Sequence, residues 1–133
     1  MEVQINFVAA IAAAVLGFVI GAVWYSPLLF SRVWAREAGM DDGKMRGGNI
    51  AMIFGLAFVG ILIAALNLAA FIGPKASLGF GTFAGFATGL GWVAMALGVL
   101  YLFERRSMKL WLVNSGYMVL MFTAMGALIG AWR

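Results

Sequence analysis

The chain has 133 residues, is 65% hydrophobic and 11% charged, carries a formal net charge of +4, and contains neither cysteine nor histidine. A soluble fold of this size cannot hide so much apolar surface, so the composition calls for a bilayer as solvent. The missing Cys and His remove thiol chemistry, disulfides, Cys/His zinc sites, His-ligated haem and Ser-His-Asp triads, and basic residues scattered among loops without a basic-aromatic surface argue against nucleic acid as a partner.

Val3 to Val23 carries no charge. At about 1.5 Å of rise per residue it spans about 30 Å, the thickness of a hydrocarbon core, so a membrane helix is expected near residues 3–26. Met1 and Glu2 lack the basic start of a secretory signal, so this helix is expected to be retained. Ala9, Ala13, Gly17 and Gly21 recur every four residues and bare one face for a neighbouring helix. Trp24, Tyr25, Ser26 and Pro27 close it: the two aromatics suit the headgroup level, and Pro27 ends helical pairing.

Residues 28–38 set Leu29, Val33 and Trp34 against Arg32, Arg36 and Glu37, the pattern of a short amphipathic helix lying in the interface. Gly39 caps it, and Asp41, Asp42 and Gly43 form a turn. These acids sit among Arg32, Arg36, Lys44 and Arg46, so a solvated loop is expected rather than a cation site.

A second spanning helix is expected at 49–72, capped by Asn49, with Ala51/Gly55 and Gly60/Ala64 as small pairs. A turn over residues 73–77 leads to a third, 78–103, where Gly81, Gly85 and Gly89 form a double GxxxG ladder. The ladder is open to packing within or between subunits, and the former is favoured. Glu104, Arg105 and Arg106 stop this helix at the membrane surface. The fourth, 109–131, carries Gly126 and Gly130 and a row of Met118, Met121 and Met125. Without Cys or His, that row reads as adaptable packing rather than copper ligation.

Arg32, Arg36, Lys44, Arg46, Arg105, Arg106 and Lys109 lie beyond helix ends one and three, against Lys75 and Arg133 on the other side. The imbalance predicts both termini outside the cytoplasm of a multi-pass cell-membrane protein.

Trp24-Tyr25-Ser26-Pro27-Leu28-Leu29-Phe30, a glycine-rich third helix ending Phe103-Glu104-Arg105-Arg106, and a fourth opening Lys109-Leu110-Trp111-Leu112-Val113-Asn114-Ser115-Gly116-Tyr117, with Met125-Gly126-Ala127 following, resemble the membrane family known as domain of unknown function 1761. The likeness runs in order through nearly the whole chain. It implies a small bacterial-type protein with four membrane helices, and it implies no activity. Near the start of helix four, where the resemblance leads us to expect an acid, this chain has Asn114.

The fold expected is therefore an all-α integral membrane protein, a single four-helix bundle with an interfacial helix. Its expected role is structural: a module that self-associates or serves as accessory subunit of a membrane complex, with lipid around it and no metal, cofactor or catalysis. The alternative is a dimeric carrier or channel for small solutes, without the buried acid that proton coupling needs. Polar residues that share a depth mark the place to look for a site: Tyr25, Ser26, Tyr101, Glu104, Asn114, Ser115 and Tyr117. Glu104 is expected to gather Asn114, Tyr117 and Tyr25. At the other side Asn6, Asn67 and Thr82 are expected to form one interhelical group.

Overall fold

The computed structural model describes residues 5–40, 47–73 and 77–132. The expected turn at Asp41, Asp42 and Gly43, the cations Lys44, Arg46, Lys75 and Arg133, and the segment before Ile5 lie outside those residues. In chain order the helices are α1 (Phe7–Trp24), α2 (Ser31–Ala38), α3 (Ile50–Ile72), α4 (Leu78–Phe103) and α5 (Met108–Ala131). All but α2 are long and apolar enough to cross a membrane, and the described residues contain no strand.

The four long helices begin at side-chain caps. Asn6 Oδ1, Asn49 Oδ1, Ser77 Oγ and Ser107 Oγ each accept from the backbone N–H three residues on, all at 3.1 Å. Each cap satisfies one donor that the helix leaves unpaired. This is why α1 starts at Phe7, directly after Asn6. At its other end Tyr25 N–H and Ser26 N–H close onto Gly21 and Val23 carbonyls ahead of Pro27. Helix α2 starts at Ser31 rather than Leu28, and Gly39 ends it in the left-handed conformation at φ 72°.

Helix α5 is the axis. Its Tyr117, Met121, Met125 and Ile129 share one buried cluster with Ala9, Ala10, Ala13 and Ala14 of α1, whose alanines are fully covered. Opposite Gly17, Met121 and Met125 fill the space a side chain would need, at 3.0 and 3.2 Å from a Cβ placed there. On its other flank α5 meets the first half of α4 backbone to backbone. A Cβ on Gly81 would strike the Gly126 carbonyl, one on Gly85 the Phe122 carbonyl, and one on Gly89 would lie 2.8 Å from Val119 Cα; Gly130 is closed in the same way by Ser77 and Gly81. No other residue permits such an approach, and in lipid this packing takes the place of a hydrophobic push.

Residues Thr88–Ala94 of α4 form a π-helical turn. Its effect shows in the residues that meet α5: Gly81, Gly85, Gly89, then Ala94, which is buried, and Gly98, whose Cβ would lie 3.1 Å from Trp111 Nε1. The spacing is four, four, five, four. A straight α-helix would drift off α5 after Gly89. One extra residue in the turn restores the contact face, and Trp111 Nε1 donates to the Ala94 carbonyl at 2.9 Å to hold it.

Helix α3 packs differently from expectation. Its inward face is Phe58, Ile61, Ala65, Leu68, Ala69 and Ile72, the three-and-four spacing of a helix lying on α1. Phe18 of α1 meets Phe54 and Phe58 edge-on, with centroids 6.0 and 6.1 Å apart. Gly55 and Gly60, expected at contacts, face open space with no heavy atom within 4 Å. Three of the four seams of the bundle, α1–α3, α1–α5 and α4–α5, are thus well packed, while α3 and α4 touch only sparsely.

Candidate functional site

The end of the bundle where α1 and α4 finish and α5 begins holds a chain of neutral hydrogen bonds. Tyr25 OH donates to Asn114 Oδ1 at 2.7 Å, and Asn114 Nδ2 donates to Tyr101 OH at 2.8 Å. One amide thereby ties α1, α5 and α4 together. Beside it Trp24 Nε1 donates to the Val113 carbonyl at 2.9 Å, and Tyr117 OH donates to the Gly17 carbonyl at 2.9 Å. Aromatic packing continues the contact: Tyr25 meets Trp34 of α2 and Tyr117 of α5 edge-on at 5.9 and 5.5 Å. Trp24 lies over the bare face of Gly116. Buried phenols and indoles keep their polar tips paired in this way.

Of the residues that share this depth, Tyr25, Tyr101, Asn114 and Tyr117 are brought together. Ser26 is not: its Oγ donates to the Val23 carbonyl of its own helix at 2.7 Å. Ser115 is buried, 4% exposed, and its Oγ has no hydrogen-bond partner. At about 100° per residue it shares the face of Trp111, Val119 and Phe122, which meet α4, and not the face of Asn114.

Glu104 also lies outside the cluster. Arg105 takes the left-handed conformation at φ 59°, so the chain reverses, with Arg106 N–H on the Tyr101 carbonyl and Arg105 N–H on that of Leu102. This is a helix C-terminus of the kind usually made by glycine. It delivers Arg106 Nε to Glu104 Oε1 at 2.6 Å, a pair half exposed on both sides. The Glu104 hydrogen bond and then its charge hold the Arg106 guanidinium above its usual range. Arg106 also stands over the Tyr101 ring, 5.6 Å from its centroid. The carboxylate expected at the centre of the cluster is thus engaged at its rim.

The expected group of Asn6, Asn67 and Thr82 does not form either. Asn6 caps α1, Asn67 Nδ2 donates to the Ile63 carbonyl at 2.9 Å, and Thr82 Oγ1 to that of Leu78 at 2.7 Å. Each bonds to its own helix and not to the others. Asn67 belongs instead to a feature that sequence reasoning missed, a groove of 570 Å³ in the open seam between α3 and α4. Its walls carry Phe71 from α3 and Phe80, Phe83, Thr88 and Trp92 from α4. The π turn sets the spacing here too, and Trp92 stands 74% exposed. The signal for that turn was the four, four, five, four spacing of small residues, which becomes meaningful only once α5 is known to be the partner.

Among the described residues no three acids gather as metal ligands, and Glu37 pairs with Arg36 at 3.7 Å. The chain's model match is to the family described as Protein of unknown function (DUF1761), over residues 8–130. No curated protein and no solved structure matches.

Proposed function

Because the chain belongs to this family of unknown function, we propose its role from its own geometry: a non-catalytic membrane module that self-associates, or serves as accessory subunit of a membrane complex, through the bare flank of α3. The observation that supports this is the first half of α3, where Ala51, Met52, Ile53, Phe54, Leu56 and Val59 are exposed and Gly55 has nothing within 4 Å. Glycine facing lipid gives nothing to its neighbours, whereas glycine facing another helix admits its backbone. The polar cluster at the same end of the bundle fits a scaffold, since its phenols and amide bond to one another and to backbone, locking helix ends rather than lining a polar path.

The test uses the open space itself. A Cβ at Gly55 starts in open space, so Gly55→Leu should fold and melt as before. Native mass spectrometry of the wild type from mild detergent should show dimers or higher species, and Gly55→Leu should shift them to monomer. A wild type that is monomeric throughout, with no co-purifying membrane subunit, would overturn the reading; so would assemblies that Gly55→Leu leaves unchanged. The basic residues flanking α2 and following α4 lead us to propose further that this end faces the cytoplasm. A C-terminal fluorescent reporter that matures in the cytoplasm would reverse that orientation.

A further inference from the structure

We propose that the groove between α3 and α4 is a binding site for an uncharged, ring-bearing amphiphile of the quinone class, which enters sideways from the lipid. The volume of 570 Å³ accommodates a substituted ring with the first segment of a tail. Tail and lipid are continuous, because the α3–α4 seam is the sparsely packed one. The walls are aromatic on both sides, with Phe71 facing Phe80, Phe83 and Trp92, and planar rings pack on such walls.

Polarity narrows the class. Asn67 is the one amide on the groove, and among the described residues its single hydrogen bond leaves one N–H and the Oδ1 without a partner. It lies five residues before the end of α3, about 7 Å below it along the helix. At that depth acyl chains offer no partner, and an unpaired amide is costly. Thr88, on the opposite wall, donates to the Ala84 carbonyl at 2.8 Å and keeps its oxygen as an acceptor. No described lining residue is charged. A quinone carbonyl accepts from the Asn67 N–H, and the hydroxyl of the reduced form donates to Oδ1, so either oxidation state is served without a charge. A phospholipid headgroup or a carboxylate finds no counter-charge on these walls.

The π turn belongs to the same arrangement. It is the inserted residue that lets Gly89 and Ala94 both stay on α5 while Thr88 and Trp92, four apart, both line the groove. Turns of this kind recur at functional sites. The site does not depend on the self-association proposed above. Gly55 and Asn67 are twelve residues apart, which places them about 120° apart around α3.

Trp92 reports occupancy. The chain in lipid nanodiscs is titrated with decylubiquinone, and the Trp92 signal is taken as wild type minus Trp92→Phe. The expected result is saturable quenching with unchanged fluorescence lifetime, about tenfold weaker in apparent affinity for Asn67→Leu, as the loss of one hydrogen bond in an apolar site implies, and absent for Ala87→Phe, which fills the groove. Helix content and melting of both variants check that they fold, and native mass spectrometry checks that assembly is unaltered, which separates failure here from failure of the α3 docking reading. Quenching that rises linearly without saturation, or that is equal in Asn67→Leu, overturns the site. Displacement of the quinone by n-decanol at equal concentration overturns the ring-bearing class and reduces the groove to a lipid crevice.

Discussion

The Tyr117 hydroxyl reaches the Gly17 carbonyl at 2.9 Å across the space left by Gly21, where a Cβ would lie 2.7 Å from the hydroxyl oxygen. The hydrogen bond and the glycine therefore form a single device, and a double-mutant cycle should reveal it. Tyr117→Phe should cost about 0.6 kcal/mol, the average for such bonds in membranes. Gly21→Ala should cost about 1–3 kcal/mol by overpacking. The double variant should be more stable than the sum of the two losses, because the first contact to be relieved is the hydroxyl. Melting of the four proteins in one detergent measures the coupling, and strict additivity would separate the two residues.

Asn114 carries two bonds where each tyrosine carries one. Asn114→Leu should therefore lower stability by about 1 kcal/mol, roughly twice the loss from Tyr25→Phe or Tyr101→Phe. Glu104→Gln should leave melting unchanged, since its pair with Arg106 is half exposed. A Glu104→Gln loss as large as that of Asn114→Leu would return the carboxylate to the cluster.

Arg105 occupies the left-handed conformation without the glycine that such a turn favours. Its guanidinium folds back onto the Leu102 and Phe103 carbonyls at 3.2 and 3.0 Å, giving those acceptors a partner. Arg105→Gly removes the strain together with these bonds and should leave stability nearly constant. Arg105→Val keeps the strain, adds branching and loses the bonds, and should fall about 1–2 kcal/mol below the glycine variant. Thermal melts compare the two directly.

Deleting Gly91 should convert the π turn into ordinary helix. Gly91 has open space around it, and removal of one residue turns the spacing of the α5-facing positions into an unbroken series of fours. The variant should keep its helix content and melting temperature while losing the Trp92 signal for the quinone. Deletion of Ala84 or Gly85, inside the regular half of the seam, should instead prevent folding. Equal damage from both deletions would mean that the π turn is integral to the fold.

Much of this molecule is legible from sequence because the bilayer restricts the answers. Four uncharged runs of bilayer length leave one architecture, and polar residues near helix ends announce their depth, which is how Tyr25, Tyr101, Asn114 and Tyr117 could be grouped before any coordinates. Depth does not give direction around the helix. Glu104 was misplaced because the reversal at Arg105 has no glycine to announce it, and Asn67 because an amide in a helix can turn one N–H back to the carbonyl four residues before it instead of reaching another helix. The ridge on α3 was misread for a related reason. Small residues four apart mark a face that another helix can approach, but they do not say that a helix of the same chain does.

Backbone-to-backbone contact between α4 and α5 has a mechanical consequence. With carbonyls seated where side chains would be, at Gly81, Gly85 and Gly126, the two helices have no compliant layer between them and must tilt as one plank. A bilayer that thins or thickens asks its helices to change tilt. Such an adjustment cannot be taken up between α4 and α5, and the seam left with room for it is the sparse one between α3 and α4.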